Sequence, residues 1–145
     1  MVLLDYNVLQ LDREPVIDKL HEAGIGVVAG TVLAQGHLVR GRIGSVNTGS
    51  FFWYLARSML RPSSRRLTKN SSQMRDVLAS ITEMSPAQAA FSYILENQKV
   101  ASCVFGTTSL PNLIEALEAV DRKLDESSKL KIRKAYDTLA HKISG

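Results

Sequence analysis

One segment in the last third of the chain constrains the fold more than any other. It begins with the apolar run Val100–Phe105, continues with Gly106 and two threonines, and then places apolar residues at helical spacing from Leu110 to Val120. A buried strand that leads through Gly into a helix is typical of a parallel α/β fold. The first N–H groups of such a helix lack intrahelical acceptors and attract anions such as phosphate. A tight turn that binds no ligand is the alternative interpretation.

The N-terminal residues predict a strand, a helix and a second strand. Val2–Tyr6 has the composition of a short strand, Asp12 can cap the helix that follows, and Pro15 falls in its first turn. Gly24 is placed to end that helix. Ile25–Ala29 is wholly apolar, as expected for a parallel strand covered on both faces. The sequence therefore predicts a βαβ crossover over the first thirty residues.

The predicted elements describe an incomplete barrel. Strands are expected at 2–6, 25–29 and 100–105, and helices near 13–23, 72–82, 86–97, 110–121 and 128–143. A further aromatic helix is expected to run from Phe51 to Leu60 and to end at Pro62, with a loop at 62–66. Ser127 or Ser128 is expected to cap the last helix. Eight strands typically need about 250 residues, so the predicted fold is an α/β half of a TIM-type β/α barrel or a small open parallel sheet.

Composition fits one globular domain over residues 1–145, with a C-terminal helix inside 122–145. The chain has 145 residues, of which 45% are hydrophobic and 22% charged. Because the chain has a single cysteine, Cys103, it cannot form an internal disulfide. The apolar strand around Cys103 indicates that it is a small core residue. No apolar run is long enough to span a membrane, and the N-terminus has no signal-peptide pattern. We therefore expect a cytoplasmic protein.

The net charge of +4 is unevenly distributed. No acidic residue occurs between Glu22 and Asp76, an interval that contains eight basic residues: Arg40, Arg42, Arg57, Arg61, Arg65, Arg66, Lys69 and Arg75. A field of one sign attracts a nucleotide phosphate, a nucleic acid or an acidic surface. A solvated basic loop is the alternative.

Other motifs point to chemistry only weakly. His, Cys, Asp and Glu residues lack metal-ligand spacing, and the nucleophile-elbow, dinucleotide and P-loop motifs are absent from the sequence. Asp5 and Tyr6 could transfer protons, although capping or pairing is the more ordinary role of Asp5 at a strand end. The aromatic cluster at 51–54 could stack on a ring, but a place in the core is the more ordinary interpretation.

Four segments, in order, resemble the C-terminal half of an aldo-keto reductase. They are Asp5–Leu9, Ala23–Leu38, Ser85–Tyr93, and Gly106–Thr108 together with Leu113–Leu117. They look like the family's sixth strand, its seventh strand and following loop, the helix before its eighth strand, and its cofactor phosphate loop. The likeness covers residues 2–121.

This resemblance implies NADP(H) bound across the mouth of a barrel. Gly106 and Thr108, with Thr107 between them, would hold the adenosine 2′-phosphate. Asn112 and Glu115 would face the adenine. The pyrophosphate side would be lined by Thr31, Leu33 and Gly36, with Arg42 in the basic position beyond them.

The sequence also departs from the family pattern. The family's Asp, Tyr, Lys and His tetrad belongs to the barrel half that would precede Met1, so the resemblance implies no catalytic residue in this chain. Thr31–Leu33 replaces Ser-Pro-Leu, Leu3 replaces a Gln, and Glu115-Ala116 replaces a Glu-Asn pair. We therefore expect weak or vestigial NADP(H) binding and no activity of the chain alone.

Three functions from different classes follow. The first is an oxidoreductase fragment or relic that is inactive alone, and the second is a non-catalytic interaction or scaffold protein. The third is a nucleic-acid-binding protein that uses the basic segment 40–75, which is disfavoured because the aromatics at 51–54 are not interleaved with the basic residues. The expected partner is a second copy of the chain, in a dimer or larger oligomer, or a complementary barrel half, with no membrane partner.

Overall fold

The computed structural model describes residues 1–34, 38 and 62–144. The predicted aromatic helix from Phe51 to Leu60 lies outside these residues, as do two predicted cofactor residues, Gly36 and Arg42. Four of the eight basic residues of the interval between Glu22 and Asp76 lie outside them: Arg40, Arg42, Arg57 and Arg61. In the part of the chain that is described, no helix is long and apolar enough to cross a membrane.

Three parallel strands form one sheet in chain order. They are β1 (Val2–Asp5), β2 (Val27–Gly30) and β3 (Val100–Cys103), with β2 in the centre. Leu3 is paired with Val28, and Val28 with Ser102. The predicted parallel sheet is confirmed, and the strand boundaries differ from the predicted ones by at most two residues.

Five α-helices accompany the sheet in the described part of the chain. They are α1 (Glu14–Glu22), α2 (Pro62–Ala79), α3 (Pro86–Leu95), α4 (Leu110–Glu118) and α5 (Glu126–Ser144). Short 3-10 turns precede α1 at Leu11–Arg13 and follow α4 at Ala119–Asp121. With its parallel sheet, the chain forms part of a β/α barrel, as predicted.

Three local predictions were wrong. Residues 62–66 belong to α2, because proline is well tolerated in the first turn of a helix, where its missing N–H has no intrahelical acceptor. Asp12 does not cap α1: the chain enters α1 from the 3-10 turn, and Arg13 at the cap position is already helical in conformation.

The third wrong prediction concerns the start of α5. Asp125, rather than either serine, accepts the hydrogen bond from the first turn, at 3.0 Å from the Ser128 N–H. The Ser127 hydroxyl also donates to this carboxylate, at 2.6 Å. Hydrogen bonds from Ser127 and Ser128 lower the pKa of Asp125 to about 2. The carboxylate is preferred to a serine hydroxyl as the cap because its negative charge is stabilised at a helix N-terminus.

Among the described residues, helices cover one face of the sheet. Val27, Ala29 and Val100 are buried on that face against α3 and neighbouring elements, with Phe91 of α3 among their cluster. Cys103 is half-buried in the same cluster, and burial raises the pKa of its thiol, which agrees with its predicted packing role. On the opposite face Leu3 is 65% exposed. The described residues therefore leave the inner face of the half-barrel open.

Helix α3 begins with a capping box that the sequence did not single out. The Gln88 N–H donates to the Ser85 side chain at 3.1 Å, and the Ser85 N–H donates to the Gln88 side chain at 3.1 Å. Replacement Ser85→Ala is expected to lower the free energy of unfolding by about 1 kcal/mol, because one N–H of the first turn loses its acceptor. Urea unfolding followed by circular dichroism measures this. Ser72→Ala at an exposed position of α2 is the control and should change stability by less than about 0.5 kcal/mol.

Candidate functional site

The carboxyl ends of the three strands meet at one edge of the sheet. Tyr6 and Asn7 follow β1, Thr31 follows β2, and Gly106 comes three residues after β3. The β3 chain stays close to β2 beyond its last paired residue, since the Val104 N–H donates to the Ala29 carbonyl at 2.9 Å. Ligands of parallel α/β folds bind at this edge, so it is the candidate site.

Asn7 joins the first two loops of this edge. It is 2% exposed, and its side-chain amide donates to the Thr31 carbonyl at 3.1 Å and to the Gln10 side chain at 2.8 Å. Its side-chain oxygen accepts from the Leu9 N–H at 3.0 Å. Asn7 had no role predicted for it from the sequence. An Asn directly after a strand was the available signal, since Asn side chains bond readily to backbone in turns.

Thr31 has a backbone conformation that non-glycine residues seldom adopt. Its φ is +53°, and its carbonyl accepts from the Ala34 N–H at 2.7 Å as well as from Asn7. Left-handed backbone at a non-glycine residue requires surrounding contacts to hold it. The Asn7 hydrogen bond therefore fixes the first turn of the loop after β2. Leu33, two residues on, is half-buried and packs against the hydrophobic core.

The loop after β3 is open to solvent. Gly106, Thr107 and Thr108 are all exposed, and a Cβ added to Gly106 would meet no atom within 4 Å. The fold itself therefore does not require glycine here. The Thr107 hydroxyl accepts from the Ser109 N–H at 3.1 Å and so shapes the entry into α4.

The first turn of α4 has free hydrogen-bond donors. Ser109 makes no side-chain cap bond and Pro111 has no N–H. The N–H groups of Leu110 and Asn112 have no intrahelical acceptor in this position. They point, with the helix dipole, toward the same end as Gly106–Thr108, so an anion placed there would be favoured.

The structure brings together part of the predicted cofactor set. Gly106, Thr107, Thr108 and Asn112 lie at the N-terminal end of α4, and Glu115 lies further along the same helix, half-buried. Thr31 and Leu33 lie beyond the neighbouring strand. Gly36 and Arg42 are outside the described residues.

Tyr6 is part of the structure rather than of an open site. Its hydroxyl donates to Glu14 at 3.2 Å and accepts from Asn97 at 3.4 Å, and the residue is 1% exposed. Burial raises the pKa of Tyr6 well above its ordinary value. Asp5 is exposed at the end of β1, where its backbone is paired with Gly30 of β2. No cluster of three potential metal ligands occurs among the residues that the structure describes.

The family model described as "Aldo/keto reductase family" matches residues 1–137 of this chain. The chain belongs to the aldo/keto reductase family. Two curated proteins of Escherichia coli, from O157:H7 and from K12, are each named L-glyceraldehyde 3-phosphate reductase. Both are 27% identical over 121 residues, which cover 80% of this chain and 35% of each relative. The chain thus spans about a third of the length of these aldo/keto reductases.

Solved structures of the aldo-keto reductase family share the fold. The holo form of an aldo-keto reductase from Bacillus halodurans superposes with a TM-score of 0.64 and 21% identity, over 92% of this chain and 41% of that one. Its apo form superposes with a TM-score of 0.64 and 20% identity, over 92% and 42%. The parallel sheet and its helices therefore correspond to a part of an aldo-keto reductase barrel.

Proposed function

We propose that this chain forms the side of an aldo-keto reductase barrel that binds the 2′-phosphate of NADP(H), and that it does not reduce carbonyl compounds by itself. The observation that carries the proposal is the open loop Gly106–Thr108 directly before α4, at the carboxyl edge of a parallel sheet. Family membership supplies the cofactor class, since the resemblance assigns this loop to the adenosine phosphate.

The residues present fit a phosphate group. The absence of any atom within 4 Å of an added Gly106 Cβ shows space for a close approach to the backbone. The exposed Thr108 can donate a hydroxyl hydrogen bond, and the first N–H groups of α4 lack acceptors. When bound, NADP(H) would supply the hydride of the family's reaction. These residues would only hold and orient its phosphate end.

Several residues support weak binding. Leu3, in place of the family's Gln, lies on the open face of the sheet, where it offers no hydrogen bond to a nicotinamide. Ala116 is buried among core residues and offers the adenine only a methyl group. Each lost polar contact to a ligand costs roughly 1 kcal/mol or more, so we expect an affinity below that of complete family members.

Titration with NADPH tests the proposal. The single tryptophan, Trp53, reports binding by its fluorescence, and calorimetry gives an independent reading. Binding should weaken as salt rises, because a charge-assisted and exposed contact is screened. NADH, which lacks the 2′-phosphate, should bind more weakly than NADPH.

Thr108→Asp is expected to abolish NADPH binding, because a carboxylate placed against the phosphate repels it. Thr138→Asp on α5 introduces the same charge at an exposed position away from the loop and should leave binding unchanged. Gly106→Ala should also weaken binding without altering the fold, because only the ligand competes for that space. Undiminished binding by Thr108→Asp would place the phosphate elsewhere.

A further inference from the structure

Exposed apolar side chains are concentrated along the two outer strands of the sheet and the helices next to them. Among the described residues, eleven large apolar side chains are exposed, and ten of them lie beside β3 and α4 or beside β1 and α1. The β3–α4 side carries six of them, between 39% and 67% exposed: Val104, Leu110, Leu113, Ile114, Leu117 and Val120. The β1–α1 side carries the other four: Met1, Val2, Leu3 and Val16.

Each of the two helices holds the rest of the chain on one flank and leaves the other flank free. On α4, the buried Ala116 packs into the core, and the apolar side chains at 110, 113, 117 and 120 recur with the 3-4-3 spacing of a helix-packing seam on the exposed part of the helix surface. On α1, Asp18 pairs with Lys99 at 2.8 Å, and Val16 lies on the opposite flank. Both free flanks therefore face away from the sheet's own helices.

The same two sides have unpaired strand edges. In the strand order β1-β2-β3, one edge of β1 and one edge of β3 form no ladder within the described residues. Such edges are normally covered or paired, because their N–H and C=O groups otherwise template association. A strand that pairs in parallel with the outer edge of β3 must itself have an unpaired edge. It must also have its helix on the face of the sheet that α4 occupies. In a second copy of the chain, β1 and α1 meet both requirements.

We propose that two copies of this chain associate head to tail, with the β3–α4 side of each against the β1–α1 side of the other. A two-fold axis repeats this contact, so the outer edges of β1 and β3 are paired in both copies. The solvent-exposed surface of these ten side chains together equals that of about five to six fully exposed side chains. At ~60–120 Å² each this is roughly 350–650 Å² of apolar surface per copy. A standard interface buries about 800 Å² per partner, of which somewhat more than half is apolar.

Analytical ultracentrifugation of the chain at micromolar concentration is the test, and a dimer is expected. Leu117→Glu should raise the dimer dissociation constant about a hundredfold or more, because it buries an unpaired carboxylate twice per dimer. Leu130→Glu is the matched control: Leu130 is 53% exposed on α5, against 60% for Leu117, and lies on neither side of the sheet. It should leave the dimer intact. Val16→Glu should weaken the dimer as Leu117→Glu does.

Circular dichroism of each variant establishes that the fold is retained. A monomeric wild-type chain would overturn the proposal. The β3–α4 and β1–α1 sides would then be surfaces on which the other part of a barrel packs. A Leu117→Glu dimer of unchanged strength would overturn it as well. A dimer that is sensitive to Leu117→Glu but not to Val16→Glu would replace the head-to-tail arrangement by a contact between two α4 helices.

The proposal does not depend on cofactor binding: Thr108→Asp should remain dimeric, and Leu117→Glu should still bind NADPH if the phosphate loop works as proposed.

Discussion

Phe91→Ala is expected to lower the free energy of unfolding by about 3–5 kcal/mol, a large part of the stability of a domain of this size. Phe91 is 2% exposed and lies where α3 packs on the sheet. Its ring meets that of Phe105 edge to face, with centroids 5.0 Å apart and planes at 65°. Truncation therefore leaves a cavity and also removes an aromatic pair.

Urea unfolding at a fixed protein concentration measures this loss, since association would make stability depend on concentration. Leu130→Ala is the control, because Leu130 is 53% exposed, and its effect should stay within about 0.5 kcal/mol. A Phe91→Ala cost below about 1 kcal/mol would contradict the packing described for α3, because a filled core cannot lose a phenyl ring so cheaply.

A polypeptide of these 145 residues is expected to oxidise NADPH no faster than a blank in the presence of aldehydes or ketones. Carbonyl reduction needs a positioned proton donor of suitable pKa, and such a donor contributes about 10²–10⁴ in rate. Three tyrosines belong to the described residues, and burial raises the pKa of each: Tyr6, Tyr93 and Tyr136. A raised pKa makes a phenol a poorer acid at neutral pH, so none of these three is tuned for the step.

NADPH absorbance measures the turnover, with a full-length NADPH-dependent reductase as a positive control. A preparation must first be shown free of host reductases. Turnover that survives this step and disappears in Thr108→Asp would contradict the prediction, because it would tie the activity to this chain's own loop Gly106–Thr108.

The regular elements could be predicted because they depend on short-range patterns. The apolar runs at Ile25–Ala29 and Val100–Phe105 indicated parallel strands, and both pair as expected. Predictions failed where a competing local interaction decided the outcome. Asp125, rather than a neighbouring serine, caps α5. Pro62, which was expected to end the preceding helix, is the first residue of α2.

The candidate site was only partly predictable for the same reason. The position of Gly106–Thr108 between a strand and a helix could be predicted because strand, glycine and helix follow one another in the chain. Asn7 could not, because its importance comes from hydrogen bonds to Thr31, which is 24 residues away in the sequence. The left-handed conformation of Thr31 likewise depends on that contact and has no signal in the residue itself.

The sequence by itself determined the class of fold and the family resemblance, because spacing and residue type are enough to specify local structure. The tertiary structure alone decided which surfaces stay uncovered. Leu113, Leu117 and Val120 recur at helical spacing and indicated a helix, and in the structure they are exposed. A hydrophobic pattern specifies a face that must be buried, whereas the partner that buries it is decided by how the elements are arranged in space.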